Sequence, residues 1–504
     1  MTDFTRRAML ATPALLAAGR AAAQAPRTAA PRTLAIGVVS DPVTLDPAFS
    51  ASFFENAVMY CLHETLLVAG PDGAITPGLA THSSPDPMRH VLTLRPGLSF
   101  HDGTPLDAAA VKANLDRYLD PATASIRKAD FGPLQEVAVT GPLVVELRMS
   151  APYAPLPLVL TNRAGMIVSM DAVRRLGQDF PTQAVGCGPY KFASWTKNSE
   201  LVLERFDGYW RGRDHGFDRL VFRPIPDETV RLANLRSGTL QLIDGVPPQA
   251  VAGLAREASV RVSQIPTLGF SAFSFNVTRK PFDDARVRRA FGAAVDPEVV
   301  QRVVYFGTGR VAQGPLSPAV AWAFDPAFKP PAADPARAKA LLAEAGVTTP
   351  VPVTITVTNS PQMVRIAQIA QAQANEAGFR VEVRQIDPTS LITVLRQRDF
   401  DLCMSPWSGR YDPDGNTYFW FTKGGPNNFA GYDNPQVTAW LEQARTGAEQ
   451  AGRVALYHQV QEQLARDAPV LFLHFDAIIQ ASSARLAWTQ YPDAVFRLYD
   501  ARMG

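Results

Sequence analysis

The chain has 504 residues, which is too long for a single hydrophobic core and indicates two to four domains. Hydrophobic residues make up 46% and charged residues 19%, as in soluble globular proteins, and the many Pro and Gly residues are too scattered to indicate disorder. The first 23 residues carry three arginines and one aspartate, so the rest has 46 basic and 46 acidic residues. This neutral balance gives no electrostatic reason to expect a nucleic acid or an anionic membrane as a partner.

The N-terminus has the pattern of an export signal. Thr5-Arg6-Arg7-Ala8-Met9-Leu10 is followed by an Ala-rich apolar run of about ten residues, far short of the roughly 20 that span a bilayer. The twin arginines and the weakly hydrophobic run favour the Tat route, with Sec export as the alternative. We expect cleavage after Ala23, a periplasmic mature protein and no lipid anchor, because no cysteine lies near the cleavage site.

The first third of the chain predicts short strands and amphipathic helices. Thr33–Val39 alternates as a strand does, and 53–67 has apolar residues at helical spacing. Val91–Arg95 and Leu98–His101 are predicted to pair as strands. Thr104 is predicted to cap the next helix, with Pro105 as its first residue.

The segment from Gly186 to Gly245 is the most informative part of the chain. Gly186, Gly188 and Pro189 predict a tight turn, in which glycine would adopt a positive φ. Asp227 is predicted to cap a helix that ends at Gly238. Three strands are predicted before that helix, at Tyr190–Trp195, Leu201–Phe206 and Phe217–Pro224.

Beyond residue 272 strands and helices alternate. The alternation predicts a mostly parallel sheet with right-handed crossovers. After a further helix, an apolar strand at Val470–Phe475 can return to the first half of the protein. The other main strands are predicted at Val351–Thr358, Phe379–Gln385 and Phe400–Ser405.

The order of these segments, with GPYKFASW, YWRG and IPDET in register, resembles the family 5 extracytoplasmic solute-binding proteins of ABC importers for peptides, nickel chelates and related ligands. The resemblance covers nearly all of the mature chain. It implies an α/β fold, a bilobal periplasmic-binding-protein clamshell with an extra subdomain inserted in the first lobe. The predicted domains are the signal at 1–23, lobe I at 31–70, 185–272 and 476–504, the inserted subdomain at 71–184, and lobe II at 273–475. Two crossings near Phe275–Val277 and Phe472–Asp476 would be the hinge, with the ligand between the lobes.

The resemblance implies a binding protein and not an enzyme. It would capture a small solute, a peptide or peptide-like compound, and deliver it to an inner-membrane permease with ATPase subunits. A monomer with no cofactor and no metal is expected. The alternatives are a metal chelate, haem or an oligosaccharide as ligand, or a periplasmic hydrolase or chaperone on the same scaffold. The chain lacks a recognisable nucleophile–base motif, which argues against the hydrolase.

The predicted ligand loop is Ser405-Pro406-Trp407-Ser408-Gly409-Arg410-Tyr411-Asp412, at the carboxyl end of a strand, where ligand crevices form. Trp407 would supply an apolar wall, Ser408 and Gly409 would bring backbone groups close, and Arg410 would offer a forked donor to a carboxylate or phosphate. Tyr411 and Asp412 complete the predicted loop site. The alternative for Arg410 is a salt bridge with Asp412 or Asp414.

In the family's dipeptide and oligopeptide binders, an Asp follows the W-x-G unit and binds the ligand's α-amino group, and that position here is Arg410. Dipeptide binders also have an Arg after an earlier strand, where this chain has Asn359, and the nearest arginine is Arg365. Both charged anchors of a dipeptide are therefore changed. We expect instead a ligand with an anionic or strongly polar group facing Arg410.

Further pocket residues are implied by the family's opening loop and by the second lobe. Ser50, Ser52, Phe53 and Phe54 would line the cleft from lobe I, with a helix start packed in the core as the alternative for the two phenylalanines. Asn428, between Asn427 and Phe429, would close the pocket from lobe II. The three cysteines, Cys61, Cys187 and Cys403, allow either one disulfide or three small buried side chains.

Overall fold

The computed structural model describes residues 31–50, 55–212, 216–447 and 449–504. Within it, residues 32–504 form one compact unit. The predicted export signal at 1–23 and the predicted pocket residues Ser52, Phe53 and Phe54 lie outside the described residues. In the part of the chain that the structure describes, no helix has both the length and the apolar character to cross a bilayer.

The described helices are mostly short and lie on the faces of sheets. Five short 3-10 segments connect them, at Lys128–Phe131, Arg163–Gly165, Gly177–Thr182, Pro248–Ala250 and Pro388–Ser390. The α-helices are α1 (Asn56–Leu62), α2 (Ala108–Leu119), α3 (Leu156–Val159), α4 (Met170–Leu176), α5 (Glu228–Arg236), α6 (Val251–Leu254), α7 (Ala285–Ala294), α8 (Pro297–Val303), α9 (Pro335–Ala345), α10 (Pro361–Glu376), α11 (Leu391–Gln397), α12 (Asp414–Phe421), α13 (Pro435–Thr446) and α14 (Gln450–Asp467).

The strands form three sheets of four or more strands and two small hairpin-like pairs. They are β1 (Thr33–Val38), β2 (Leu67–Ala69), β3 (Ile75–Pro77), β4 (Ala80–Asp86), β5 (Arg89–Leu94), β6 (Leu134–Gly141), β7 (Val144–Met149), β8 (Tyr190–Thr196), β9 (Glu200–Arg205), β10 (Arg219–Pro224), β11 (Leu242–Ile243), β12 (Val260–Pro266), β13 (Ser271–Phe275), β14 (Arg310–Val311), β15 (Val351–Thr358), β16 (Phe379–Ile386), β17 (Leu402–Met404), β18 (Val470–Phe475), β19 (Ala477–Ser483), β20 (Leu486–Ala487) and β21 (Arg502–Met503).

Sheet A has the strand order β12-β19-β11-β1-β10-β9-β8. Strand β1 pairs in parallel with β10, from Thr33 opposite Arg219 to Val38 opposite Pro224. Its alternating residues Leu34 and Ile36 are fully buried in a core beneath the sheet. The N-terminal strand is therefore central to the sheet, and its apolar periodicity is explained by that position.

Sheet B has the order β14-β18-β13-β17-β15-β16 and is mixed, not mostly parallel as predicted. Strand β15 is parallel to β16 and β17, whereas β13 is antiparallel to β17 and β18. Strand β18 returns from the far end of the chain and enters the sheet in the opposite direction, which a local pattern of strands and helices cannot reveal. An aromatic core that includes Phe273, Phe275 and Phe291 fills the space between this sheet and its helices.

A third sheet, sheet C, has the order β4-β5-β7-β6 and is antiparallel throughout. Helix α2 packs on it over a separate hydrophobic core that includes Leu92, Leu115 and Leu147. Sheets A, B and C thus each have a core of their own, and this is the architecture expected where lobes and an inserted subdomain meet.

The chain passes from sheet A to sheet B at residues 267–270, between β12 and β13, and returns at Asp476, between β18 and β19. The first crossing lies N-terminal to the predicted one at Phe275–Val277, because β13 already belongs to sheet B. The two crossings touch, since the Thr267 N–H donates to the Asp476 carbonyl at 2.8 Å. These crossings are the points at which the chain changes sheets. The other boundaries predicted for the lobes stay a prediction.

Gly186 and Gly188 are required for close approach and not for a positive φ. Neither is among the glycines with positive φ. A Cβ on Gly188 would lie 2.7 Å from the Leu62 carbonyl carbon and 2.8 Å from the Cys61 carbonyl oxygen. The His101 Nε2–H donates to the Gly188 carbonyl at 3.0 Å, so the turn that contains His101 is structural.

The helix predicted to start at Thr104 starts later. Its cap is Asp107, whose side chain accepts from the Ala110 N–H at 2.9 Å. Thr104 and Pro105 remain extended because Pro105 pairs with Ser99 in an isolated bridge. Leu98–His101 is therefore the other side of this turn and not a strand partner of β5. By contrast, Asp227 does cap α5 by accepting from the Val230 N–H, as predicted.

All three cysteines are free and buried. Burial raises the pKa of the Cys61 thiol to about 12. The alternative of small buried side chains is confirmed, and the alternative of a disulfide is wrong.

We predict that Gly188→Ala lowers the free energy of unfolding by roughly 1–3 kcal/mol, because its Cβ would press on the Leu62 backbone. Gly452→Ala is the matched control, since it lies in α14 with no atom within 4 Å of its Cβ position and gains helix propensity. Urea unfolding followed by circular dichroism measures both. Equal stability of Gly188→Ala and the wild type would refute the requirement for close approach at this position.

Candidate functional site

The loop after β17 is attached to the first crossing between sheets A and B. The Trp407 N–H donates to the Phe270 carbonyl at 2.8 Å, and the Phe270 N–H donates to the Trp407 carbonyl at 3.0 Å. Gly409 has a φ of +81° and forms a bridge with Leu268, where a Cβ on Gly409 would overlap the Leu268 backbone. The predicted ligand loop is therefore built against the segment that joins sheets A and B.

One buried amide, that of Asn416, holds the loop in shape. Its Oδ1 accepts from the Trp407 Nε1–H at 2.8 Å and from the Arg410 backbone N–H at 2.9 Å. Its Nδ2 donates to the Arg410 carbonyl at 2.9 Å. Asn416 thereby fixes the indole of Trp407 and the backbone of Arg410 together.

The guanidinium of Arg410 lies over the ring of Trp407, 4.6 Å from the ring centroid. Its Nη1 donates to the Gly409 carbonyl at 2.7 Å. Among the described residues no carboxylate forms an ion pair with Arg410. The predicted alternative of a salt bridge with Asp412 or Asp414 is wrong, because both carboxylates already have arginine partners.

Those partners come from α13 and α14. Arg453 donates to Asp412 Oδ1 at 2.6 Å, and Arg445 donates to both oxygens of Asp414 at 3.0 and 2.9 Å. Burial raises the pKa of Asp414 to about 6, against the opposing effect of Arg445. These two ion pairs stabilise the turn that begins α12, and they leave Arg410 as the charged group of the loop that forms no ion pair with a described residue.

Arg410 belongs to a cluster of basic groups. Burial lowers the pKa of Arg410, the negative charge of Asp130 raises it, and the positive charge of Arg127 lowers it. Burial, followed by the charges of Arg127 and Arg410, lowers the pKa of Arg163 to about 10. Asp130 pairs with Arg127 at 3.0 Å, while Arg163 donates to the Ser50 hydroxyl at 3.0 Å. Three guanidinium groups and the Asp130 carboxylate thus act on one region of space.

A cavity of about 50 Å³ separates Arg410 from the residues on the sheet C side. Arg127, Asp130 and Tyr153 line it from that side, and Arg410 and Tyr411 line it from the sheet B side. Its walls are in contact, since the Ala154 N–H donates to the Arg445 carbonyl at 2.9 Å. This volume has room for one or two water molecules, so a larger ligand does not fit within this cavity as it stands.

The other predicted residues have different surroundings. Ser50 is buried, and its hydroxyl donates to Glu55 at 2.6 Å. Ser408 is exposed. Asn359 is exposed at the end of β15, and its backbone N–H donates to Ile386. Asn428 is buried, and its amide bonds to Thr422 and Tyr432 within its own loop.

Sequence reasoning missed the residues that come from the sheet C side and from α13 and α14. Arg127, Arg163, Arg445 and Arg453 lie in segments with no recognisable motif. A sequence pattern contains the arginines but does not tell which side chains they contact. Only the packing of these segments on the 405–416 loop brings them together.

No group of three or more His, Cys, Asp or Glu side chains in the described ranges could hold a metal ion. His82 and His90 bond to each other at 3.0 Å, and burial lowers the pKa of His90 to about 4. This pair belongs to sheet C.

Comparisons of the sequence and of the structure with known proteins all find solute-binding proteins. The family model for bacterial extracellular solute-binding proteins, family 5 Middle, matches residues 74–429. The glutathione-binding protein GsiB of Pectobacterium atrosepticum is 28% identical over 502 residues, with 97% of each chain covered. The periplasmic binding protein DppA of Helicobacter pylori, solved with the peptide STSA, has a TM-score of 0.82 at 24% identity and covers 94% of this chain and 98% of its own. NikA of Staphylococcus aureus, solved with Ni(L-His)2, has a TM-score of 0.77 at 21% identity and covers 94% of this chain and 100% of its own.

We predict that Arg445→Ala lowers the free energy of unfolding by about 3–5 kcal/mol near pH 8, because it leaves the buried Asp414 carboxylate without its partner. Adding Asp414→Asn to this variant should recover part of the loss. Urea unfolding of the wild type, both single variants and the double variant gives the coupling between the two residues.

The loss should shrink as the pH falls. Without Arg445, the pKa of folded Asp414 rises further above its unfolded value, so Asp414 is protonated in the fold and charged in the unfolded chain at intermediate pH. Lowering the pH toward 4 protonates the unfolded chain too and removes this penalty. A stability loss that is independent of pH would contradict the assignment of the cost to the Asp414 charge.

Proposed function

The chain belongs to family 5 of the bacterial extracellular solute-binding proteins, and we propose that its ligand is a peptide or peptide-like compound with a carboxylate facing Arg410. Membership confirms the family inferred from the sequence, and the structural likenesses confirm the bilobal clamshell fold. The protein is the extracytoplasmic solute-binding component of an ABC importer, so its partner is a permease with ATPase subunits.

The observation that carries the ligand proposal is that Arg410 has no acidic partner among the described residues. It is the charged group of the Trp407 loop that forms no ion pair with any described residue, whereas Asp412 and Asp414 beside it are both paired. A buried charge is costly unless a counter-charge compensates it. A ligand carboxylate would supply that counter-charge through two parallel hydrogen bonds from the guanidinium.

The charges around the cavity favour one end of a peptide over the other. Arg127 and Arg163 add positive charge, and Asp130 is already paired with Arg127. An α-amino group placed at Arg410 would be repelled. A carboxylate there would be attracted, and the flat face of Trp407 would support an apolar part of the ligand.

Glutathione is the compound that we would test first. Two curated relatives that cover nearly the whole chain, from Pectobacterium atrosepticum and Salmonella paratyphi A, are named glutathione-binding proteins. Glutathione is a small peptide with two carboxylates, which suits a cluster of three arginines. Peptides, metal chelates, haem and oligosaccharides complete the panel.

Binding would couple to closure of the two sides of the cavity. A ligand that contacts both the Trp407 loop and the Arg127–Tyr153 side binds the closed form better than the open form and shifts the population toward it. The permease would then recognise the closed form. The protein would release its ligand unchanged, as a receptor does and an enzyme does not.

We predict that Arg410→Ala weakens glutathione binding at least about tenfold, because a charge-assisted hydrogen-bond pair is lost. Arg365→Ala, on the exposed side of α10, is the matched control and should leave the affinity unchanged. Isothermal titration calorimetry measures both, and mass spectrometry of the recovered ligand tests for turnover.

Wild-type protein that binds no carboxylate-bearing peptide would defeat the proposed ligand class. Equal affinities of the wild type and Arg410→Ala would defeat the proposed role of Arg410. A ligand that is chemically altered after incubation would show that the protein is an enzyme.

We also propose that the chain is exported through the Tat route, on the basis of Arg6 and Arg7. Replacing both arginines with lysine should keep the protein in the cytoplasm, because the Tat pathway reads the arginine pair and the Sec pathway needs only positive charge. Cell fractionation and immunoblotting provide the measurement. Normal export of the double-lysine variant would indicate the Sec route.

A further inference from the structure

A second cavity lies entirely within the sheet B region. Its volume is about 780 Å³, and β13, β18, α7, α8, α14 and the segments 310–314 and 329–333 line it. None of its lining residues belongs to the 405–416 loop. Ligand pockets for small molecules have volumes of roughly 300–1,000 Å³, so this cavity has the size of a binding site in its own right.

Apolar side chains make up much of the wall. Val295, Leu464, Leu471 and Phe472 are among them. They come from separate elements, a loop after α7, helix α14 and strand β18, and they surround the space from more than one side. An apolar part of a ligand would lose its contact with water against this wall.

Two glutamine amides face the cavity without a partner for their polar atoms. Gln461 on α14 is only 4% exposed, and its side chain forms no hydrogen bond with any described residue. Gln313 Oε1 is buried and also has no partner among the described residues. Buried polar atoms are normally hydrogen-bonded, and leaving one unpaired is costly. The cavity therefore offers an amide donor and acceptor to a polar group that the protein does not itself supply.

The rim of the cavity is basic. Arg289, Arg310, Lys329 and Arg337 line it, and none forms an ion pair with a described residue. The two acidic residues of the lining are already used: Asp296 caps α8 by accepting from the Glu298 N–H at 2.8 Å, and Glu298 pairs with Arg302 at 3.4 Å. The net charge at the opening favours an anion.

We propose that this cavity is a second binding site, separate from the cleft, for a small N-acyl amino acid or a compound of that chemistry. The carboxylate would meet the basic rim, the amide would bond to Gln461 and Gln313, and the acyl chain would contact the apolar wall. The carboxylate of a free fatty acid would pair with the basic rim and its chain would contact the apolar wall, but the amides of Gln461 and Gln313 would stay without hydrogen-bond partners. A dipeptide would place its ammonium group among the arginines.

The test uses N-hexanoylglycine as the probe, titrated calorimetrically into the mature protein. One equivalent should bind. Arg310→Glu should weaken binding at least about tenfold, and Gln461→Leu should weaken it about fivefold. Hexanoate, which lacks the amide, and the methyl ester of the probe, which lacks the charge, should both bind more weakly than the probe.

Two control variants show whether the probe occupies this cavity, the cleft or an exposed basic surface. Arg396→Glu changes an exposed arginine of α11 outside the cavity and should leave binding unchanged. Arg410→Ala should also leave it unchanged, because the cleft is not involved. Thermal unfolding of each variant shows whether it is folded.

Wild-type protein that does not bind the probe at millimolar concentration would overturn the proposal. Binding that is lost in Arg410→Ala but kept in folded Arg310→Glu and Gln461→Leu would also overturn it, since the probe would then occupy the cleft. That second result would leave the proposed role of Arg410 in the cleft intact.

Discussion

Two backbone hydrogen bonds between Phe270 and Trp407 connect the first crossing between sheets A and B to the candidate ligand loop. Residues 267–270 carry the chain from sheet A to sheet B, and they touch the second crossing through the bond from Thr267 to Asp476. The Trp407 loop is therefore attached to the segment that joins the two sheets. Glycine at 269 and 409 is what allows this approach, because a Cβ at either position would overlap the opposite backbone.

The distribution of buried charge around this loop explains which group is available for binding. Asp412 and Asp414 are buried, and each has an arginine from α13 or α14 as its partner. These pairs satisfy the carboxylates and stabilise the turn into α12, at the cost of removing four charged groups from solution. Arg410 has no such partner and is instead held by Trp407 and by the Gly409 carbonyl. Because Arg410 forms no ion pair with a described residue, it is the group on which the proposed ligand contact depends.

Much of the secondary structure could be predicted because it follows from local periodicity and capping. Asp227 capping α5 is an example, as are the strands at 190–196, 351–358 and 470–475. The predictions are wrong where strand pairing that the local pattern does not show decides the outcome. Pro105 stays extended because Ser99 pairs with it, and β18 makes sheet B mixed because it returns from far along the chain. Gly186 and Gly188 are essential to their turn, but the reason is the nearby backbone of 61–63 and not their own φ.

The sequence by itself determined the family, the α/β class and the position of the loop around Trp407, because segment order, strand periodicity and turn residues are local properties of the chain. The tertiary structure alone decided that Arg410 has no acidic partner among the described residues, that Arg127 and Arg163 act on the same space, and that the amide of Asn428 is used within its own loop. It also decided that the side-chain amides of Gln313 and Gln461 line the sheet B cavity without a hydrogen-bond partner among the described residues. The physical reason is that charge compensation and hydrogen-bond satisfaction depend on which distant side chains meet in a low-dielectric interior, and spacing along the chain does not encode that.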